Sequence, residues 1–539
     1  MKHYLTTLEE SVKRRWNYES LCDFGGESFT YAYLAETIEK FRLFSVEAGI
    51  SKGEKIAICA RNSARWALSF WSINVNEFVA VPLLSEFHPD SVVSLVNHSE
   101  SVLLFVDSDI WEKMDHSALT GLKAAINVKD FGLLWSSDQK VAKAWEDRDS
   151  LFSKAHPDGL KPEDISYTKD NFKDLAIINY TSGTTGNPKG VMLTYEAIAD
   201  TDNFSNAHFP NHPGDTIVSM LPMAHMYGLM IEFVHPNVDG VPIYFLGKTP
   251  SPTTLLKAMK EVKPYMVVTV PLVMEKVYAN SIKPALAKLR IPLAIPGLNR
   301  LIYNAIRKKV IEAFGGKVLC FIMGGAALNP EVERCFSKMR LPYVVGYGMT
   351  EACPLLAYEL WTDFAPGSCG KPVHEIRIDS EDPVHIPGEI QSRGPNITIG
   401  YFKNPEANEA AFTRDGWLRT GDLGTMDEKG NVFIRGRIKS MILTSSGQNI
   451  YPEEIEAVLA NCPYVSESIA VDRGGKIVAL VYAEIPDDIE AENRYGIPEE
   501  IRRLANKSLP SYSQIAKVEL MDAPFEKTPK MSIKRYLYK

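Results

Sequence analysis

No two cysteines stand in a C-x-x-C spacing, and the seven present (Cys22, Cys59, Cys320, Cys335, Cys353, Cys369 and Cys462) are scattered and odd in number. That pattern argues against a disulfide framework and against a zinc site, and it fits a reducing compartment. No apolar run approaches the length of a bilayer span. The opening residues, Met1-Lys2-His3-Tyr4-Leu5, pass directly into charged sequence with no visible signal peptide. A cytoplasmic location is therefore expected. Internal repeats and low-complexity tracts are missing as well. So is any excess of positive charge: the formal net charge is -8, which gives no global pull toward nucleic acid or anionic lipid. Only the C-terminal tail approaches a basic patch, and no nucleic-acid partner is expected.

What is present is a long, ordinary globular composition. At 539 residues the chain exceeds the size at which one core stops growing, so two or more domains are expected. The first half alternates helix-like and strand-like segments, the pattern of an α/β architecture. Residues 29–49 carry helical periodicity through Tyr31, Leu34, Ile38 and Phe41, with Thr30 as N-cap. Residues 55–60 and 102–106 read as strands, and residues 66–75 as a helix. Between 370 and 437, short strand candidates alternate with Gly, Pro and Asp turns, which predicts a small β-rich subdomain. A fresh α/β pattern begins after Arg437: helix 452–460, strands 468–471 and 476–483, helix 498–507. The expectation is a large α/β domain over 1–437 and a small mobile α/β domain over 438–539.

The most informative stretch is Tyr180-Thr181-Ser182-Gly183-Thr184-Thr185-Gly186-Asn187-Pro188-Lys189-Gly190. Glycines let backbone N–H groups converge on oxygens, hydroxyls donate hydrogen bonds and a lysine adds a point charge, which together make a phosphate cradle. A Walker A loop ends Gly-Lys-Ser/Thr and opens a helix. Here Lys189 precedes Gly190 and apolar runs flank both sides, so strand–loop–strand is expected. A mobile Gly/Ser hairpin without a ligand is the plainer alternative, but turns rarely need so many hydroxyls and a lysine.

This loop resembles the phosphate-binding signature of the adenylate-forming superfamily, the acyl- and aryl-CoA synthetases, luciferases and adenylation domains. Further motifs follow in order over nearly the whole chain. Gly346-Tyr347-Gly348-Met349-Thr350-Glu351, after Gly324-Gly325-Ala326-Ala327-Leu328, resembles the adenine and metal motif. The resemblance implies that Tyr347 stacks on adenine, Thr350 contacts the α-phosphate and Glu351 binds Mg²⁺, with Gly325, Ala326, Gly346 and Gly348 lining the nucleotide site. A hard cation wants such oxygen ligands and shares them with phosphates. Trp417-Leu418-Arg419-Thr420-Gly421-Asp422 and Gly436-Arg437-Ile438-Lys439 imply Asp422 and Arg437 as ribose contacts and Lys439 as the interdomain hinge. Residues 445–452 match the loop lining the family's thiol tunnel, with Ser446 and Gly447 beside the pantetheine arm of coenzyme A.

Pro222-Met223-Ala224-His225-Met226-Tyr227-Gly228 resembles the motif whose histidine lies beside the substrate carboxylate. Amino-acid-activating relatives carry an Asp next to the aromatic; Met226 stands there instead and argues against an amino-acid substrate. Residues 270–278 and 314–317 resemble the long-chain fatty-acid subgroup. The apolar stretch 289–305 between them reads as a packed connector, with a transient membrane-facing patch as the lesser reading and weak membrane association as its corollary.

The implied activity joins a fatty acid, ATP and coenzyme A through an acyl-adenylate. One departure stands out. The family's C-terminal lysine position falls on Ser532, with Lys530 two residues before and Lys534 two after. Residues two apart in an extended segment share a face but sit roughly 6–7 Å apart, so either lysine is a candidate; Lys530 is preferred because Pro529 reshapes the turn. The departure leaves two rivals open: a fatty-acid or acyl-adenylate binding protein with impaired catalysis, and an acyl-AMP ligase that delivers to an acyl-carrier protein.

Overall fold

A helix begins where Thr30 accepts a hydrogen bond from the backbone N–H of Tyr33, and it runs Tyr31–Ala48 with Leu34, Ile38 and Phe41 buried. The apolar periodicity expected over residues 29–49 is this helix. In the computed structural model of the chain, the described residues are 1–181, 188–209, 211–247, 252–289, 293, 295, 297–443, 449–474, 476–486, 494–510, 513–527 and 533–538. Of the expected site residues, Ser182, Gly183, Thr184, Thr185, Gly186, Ser446, Gly447 and Lys530 lie outside them.

Two large, mainly parallel sheets carry the α/β part. The eight-stranded sheet is centred on Lys55–Cys59, flanked by Val79–Leu83 and Ser101–Val106 in parallel. These strands read as continuous apolar runs because helices cover both faces of such a sheet. Leu175–Thr181 and Lys189–Thr194 pair antiparallel in this sheet, so the strand–loop–strand expectation holds. The seven-stranded sheet has the order Tyr343–Val345, Cys320–Met323, Met266–Thr269, Ile217–Ser219, Ile243–Phe245, Glu19–Asp23, Ser28–Thr30, parallel except at its last strand. Helix Ala64–Val75 is buried along its length, and Trp66, Phe70 and Trp71 pack on Phe233. That apolar core encloses a satisfied polar knot: Trp71 Nε1 donates to Asn237 Oδ1 (2.9 Å), Asn237 donates to Ser20 Oγ (2.9 Å), and Tyr31 donates to the Asn237 carbonyl (2.8 Å). A buried amide left without these partners would cost roughly 1–3 kcal/mol.

The β-rich stretch is a four-stranded antiparallel sheet of Glu375–Asp379, Gly388–Arg393, Leu418–Met426 and Val432–Arg437. Beyond it, Val465–Asp472, Ile477–Ala483 and Lys517–Leu520 form a three-stranded sheet. Helices Pro452–Leu459 and Ile497–Asn506 bury Ile455, Leu459, Ile497 and Ile501 in one cluster with strand residues Ala479 and Val481. Asn329 donates to Asn461 across to this part of the chain (3.0 Å). The tail is held by charge: Lys527 pairs with Glu467, Lys534 with Glu526 and Arg535 with Glu456. A β-bridge between Lys527 and Ile533 brings together the two ends of the span that contains Lys530. Among the described residues no helix is long and apolar enough to cross a membrane.

One buried carboxylate stiffens the approach to the His225 motif. Glu232 is fully buried on the π-helical segment Gly228–Val234. Its Oε2 accepts from Leu221 N (2.9 Å), Met220 N (3.0 Å) and Ser219 Oγ (3.1 Å). Burial outweighs these bonds and pushes its pKa up to about 8. Between the unfolded value near 4.5 and about 8 the folded state keeps a proton that the unfolded state loses. Stability must therefore fall as pH rises through that window, by on the order of 1 kcal/mol per pH unit. Urea denaturation from pH 5 to 8 should show this slope in the native chain and a flatter one in Glu232→Gln; equal slopes would exclude the assignment.

Candidate active site

The segments singled out in the sequence leave one edge of the seven-stranded sheet. Residues 220–228 follow strand Ile217–Ser219, residues 324–328 follow Cys320–Met323, and residues 346–351 follow Tyr343–Val345. All are carboxyl ends of parallel strands, the place where open α/β sheets leave a crevice for ligands. Tyr227 packs across this edge and donates to the carbonyl of Ile322 (3.1 Å). Its ring lies so close to Gly324 that a Cβ there would stand 3.2 Å from it, a tight contact that the ring would have to yield to. His225, half-buried on the turn that Pro222 opens, is placed from outside the sheet. Buried Asn179, on the strand entering the phosphate-type loop, donates to the neighbouring Ala224 carbonyl (2.8 Å). Asn62 accepts from Met223 N (2.9 Å) and donates to the Leu221 carbonyl (2.6 Å).

The 346–351 segment is shaped by a close antiparallel pairing, Tyr347 with Ala357 and Gly348 with Leu355. A Cβ on Gly348 would fall 2.0 Å from the Pro354 carbonyl oxygen, so no other residue fits. The turn Thr350–Ala352 then buries both Thr350 and Glu351. Glu351 Oε1 accepts from the Tyr401 hydroxyl (2.9 Å), and its carbonyl accepts from Thr398 N (2.8 Å). Burial first, and the adjoining Glu351 charge second, push the Tyr401 phenol far above its ordinary value and keep it a donor. Lys189 Nζ stands 4.9 Å from the Tyr401 ring centre, in cation–π contact. Strand Gly400–Tyr401 reaches this position by pairing with Lys189–Thr194. Glu351, Tyr401 and Lys189 thus form a chain from the turn to the mouth of the 182–187 loop, whose ends Thr181 and Lys189 face each other in register.

On the other side of Tyr347, its hydroxyl donates to Asp422 Oδ2 (2.8 Å), and Arg437 Nε pairs with Asp422 Oδ1 (2.8 Å). Asp422 and Arg437 are cross-strand partners in the antiparallel sheet, so their meeting follows from register. Burial raises the Asp422 pKa, and the Arg437 charge opposes it. Arg437 itself is exposed, as is Lys439 in the turn that follows.

The family model of AMP-binding enzymes matches residues 8–402, and that of the AMP-binding enzyme C-terminal domain matches residues 439–538. The chain belongs to the AMP-binding enzyme family. It is an adenylate-forming, ATP-using ligase by class. A long-chain-fatty-acid–CoA ligase of Mycobacterium bovis is 28% identical over 508 residues, covering 88% of this chain and 80% of the relative. A long-chain-fatty-acid–[acyl-carrier-protein] ligase of Arabidopsis thaliana is 25% identical, over 94% and 80% of the two chains. The fold is that of O-succinylbenzoate coenzyme A synthetase from Bacillus subtilis in complex with AMP (TM-score 0.76, 21% identity, 100% of this chain and 98% of that one). ATP-bound MatB from Rhodopseudomonas palustris is equally similar (TM-score 0.76, 21% identity, 100% and 98%).

In this AMP-binding enzyme the expected site residues Tyr347, Asp422 and Arg437 meet directly, Lys189 and Glu351 meet through Tyr401, and Thr350 is buried next to Glu351 in the chain, while Gly325 and Ala326 lie exposed after their strand. Sequence reasoning missed Tyr401, Asn179 and Asn62. Asn179 adjoins the hydroxyl-rich loop, which was a usable signal; Tyr401 carried none, because its contact depends on pairing across about two hundred residues. Among the described residues no group of three or more His, Cys, Asp or Glu side chains could hold a metal. A divalent ion at Glu351 would complete its shell with phosphate and water oxygens, the habit of magnesium.

Tyr401→Phe removes one donor from a buried carboxylate and should cost roughly 1–3 kcal/mol. A urea midpoint unchanged from the native chain would show that the bond carries no stability.

Proposed function

We propose that this chain activates a long-chain fatty acid with ATP, forming acyl-AMP and pyrophosphate, and then passes the acyl group to coenzyme A with release of AMP. The observation that carries the proposal is a pair of contact sets, Lys189–Tyr401–Glu351 and Tyr347–Asp422–Arg437, both anchored in the short segment 346–351 that follows a parallel strand. The long-chain–CoA assignment draws its support from the curated relatives and from Met226, which supplies no carboxylate for an α-amino group. A cytoplasmic setting goes with this reading.

A carboxylate is a poor electrophile, because its charge repels nucleophiles and its oxygen leaves badly. Attack of that oxygen on the α-phosphorus breaks the bond to pyrophosphate and leaves a mixed anhydride; a thiol then forms the thioester and AMP departs. In this scheme Tyr347 stacks on adenine and Asp422 with Arg437 holds the ribose. Lys189 and the hydroxyls of Thr181, Ser182, Thr184 and Thr185 face phosphate oxygens. Thr350 contacts the α-phosphate, and His225 lies beside the fatty-acid carboxylate. Magnesium, with Glu351 as its protein ligand, would offset phosphate charge. Much of the gain is fixed electrostatics and positioning, which need no rearrangement as charge develops. Residues 438–539 turn about Lys439 between the two steps, bringing Ser446 and Gly447 beside the thiol arm; such a motion can limit turnover.

Lys530 is the proposed C-terminal catalytic lysine, since Lys534 is already paired with Glu526 and Lys527 with Glu467. Pyrophosphate release with palmitate and Mg-ATP tests the first step. Lys530→Ala and Glu351→Gln should each lower it on the order of a hundred- to a thousand-fold, with far-UV circular dichroism unchanged, while Lys534→Ala stays near native. No release by the native chain despite ATP binding would make it an acyl-adenylate binding protein. Thioester formed only on a phosphopantetheinylated carrier protein would replace coenzyme A as acceptor.

A further inference from the structure

Among its described residues, the stretch 289–305 is a packed connector on one side only: Ile302 and Tyr303 lie against a buried core cluster. Helix Leu298–Ala313 buries Ile306 and Val310 on one side, yet Leu298 is 38% and Leu301 66% exposed, and Ile295 just before it is 50% exposed. Beside these apolar side chains lies a cavity of about 270 Å³ lined by Arg300, Asn304, Arg307, Lys338 and Arg340. Arg300, Asn304 and Arg307 stand at i, i+4 and i+7, one stripe of the helix, and the Leu301, Ala305 and Lys308 stripe runs next to it. Among the described residues no carboxylate lines the cavity, and none of its four cations has an ion-pair partner. Arg307 Nη1 donates to the Arg340 carbonyl (3.4 Å), which closes the rim.

Part of this charge has an ordinary explanation. Lys338 and Arg340 end helix Pro330–Met339, where cations offset the partial negative charge of the terminal carbonyls. That does not account for Arg300, which belongs to a different helix and aims at the same hollow. In a chain of net charge -8, gathering four cations without counter-charges opposes no local acid; it suits an anion from outside. The cavity lies below the roughly 300–1,000 Å³ of drug-sized ligand sites and is the size for a headgroup phosphate. Exposed leucines beside it match the way interfacial helices lie, with apolar side chains at the acyl boundary and cations at the headgroups.

We propose that this face docks on an anionic phospholipid surface, with a lipid phosphate in the Arg300–Arg307–Lys338–Arg340 pocket and Leu298 and Leu301 at the acyl boundary. Vesicle binding is read without turnover, so it stands or falls separately from the acyl-activation chemistry. Sedimentation of the full chain with phosphatidylcholine vesicles, with and without phosphatidylglycerol, tests it. Binding is expected only with the anionic lipid and should weaken as salt is raised. The double variant Arg300→Ser/Arg307→Ser should bind on the order of twenty-fold more weakly, about five-fold per cation removed. Leu301→Ser, at a solvent-facing site where folding is not at risk, should weaken binding several-fold and keep its salt dependence. Equal binding to neutral vesicles, no binding at all, or unchanged binding by both variants would overturn the proposal. So would full displacement by inorganic phosphate at fixed ionic strength, which would assign the pocket to a free anion. Capture by an acidic carrier protein in place of vesicles would assign the face to a protein partner.

Discussion

Two buried carboxylates, each receiving a phenol hydroxyl, hold this structure together where three sheets meet. Asp422 of the antiparallel sheet takes the hydroxyl of Tyr347; Glu351 takes that of Tyr401 at the edge of the eight-stranded sheet. Tyr347 and Glu351 lie four residues apart, just beyond Tyr343–Val345, an edge strand of the seven-stranded sheet. Taking a carboxylate out of water costs several kcal/mol unless donors replace the lost hydration. A shift of residues 346–351 relative to either neighbouring sheet would therefore leave a buried carboxylate without its phenol donor. Apolar packing of Tyr347, Ala352 and Leu356 in a buried cluster holds the same segment alongside these bonds.

That constraint explains the other features of the edge. The close pairing at Gly348 sets the path on which Tyr347 and Glu351 point in different directions. Arg437 adds a partly solvated counter-charge to Asp422, and Lys189 leans on the Tyr401 ring, so positive charge gathers around a crevice whose own acids are already engaged. Asn62 and Asn179 do for the His225 turn what the tyrosines do for the carboxylates: they fix backbone carbonyls and amides that a loop would otherwise leave to water. Preorganisation of this kind, with donors and charges fixed before a reaction begins, is where enzymes gain most of their electrostatic advantage.

Much of this was legible in the chain alone. Continuous apolar runs predicted the central strands at 55–60 and 102–106, because a parallel sheet is covered on both faces. The hydroxyl-rich loop was placed correctly between two strands, since Lys189 comes before its glycine and apolar residues flank both sides. Asp422 and Arg437 were named from separate motifs fifteen residues apart, and strand register made them neighbours. Stretch 289–305 divides: Ile302 and Tyr303 pack on the core as expected, while Leu298 and Leu301 do not. Its hydrophobicity suggested burial, but composition does not say which face of a helix finds a partner, and Leu301 found none.

The sequence by itself determined the family and the α/β alternation, and it put forward the candidate site residues, because periodicity, turn chemistry and ordered motifs are local properties written in neighbouring positions. Only the tertiary structure decided how those residues act on one another. Tyr401 reaches Glu351 through a short edge strand paired with residues about two hundred positions earlier. Arg307 meets the Arg340 carbonyl because two helices converge, and Arg535 meets Glu456 because the tail folds back. Contacts of that kind depend on the closure of long loops and on the cost of burying charge, which no short window of sequence contains.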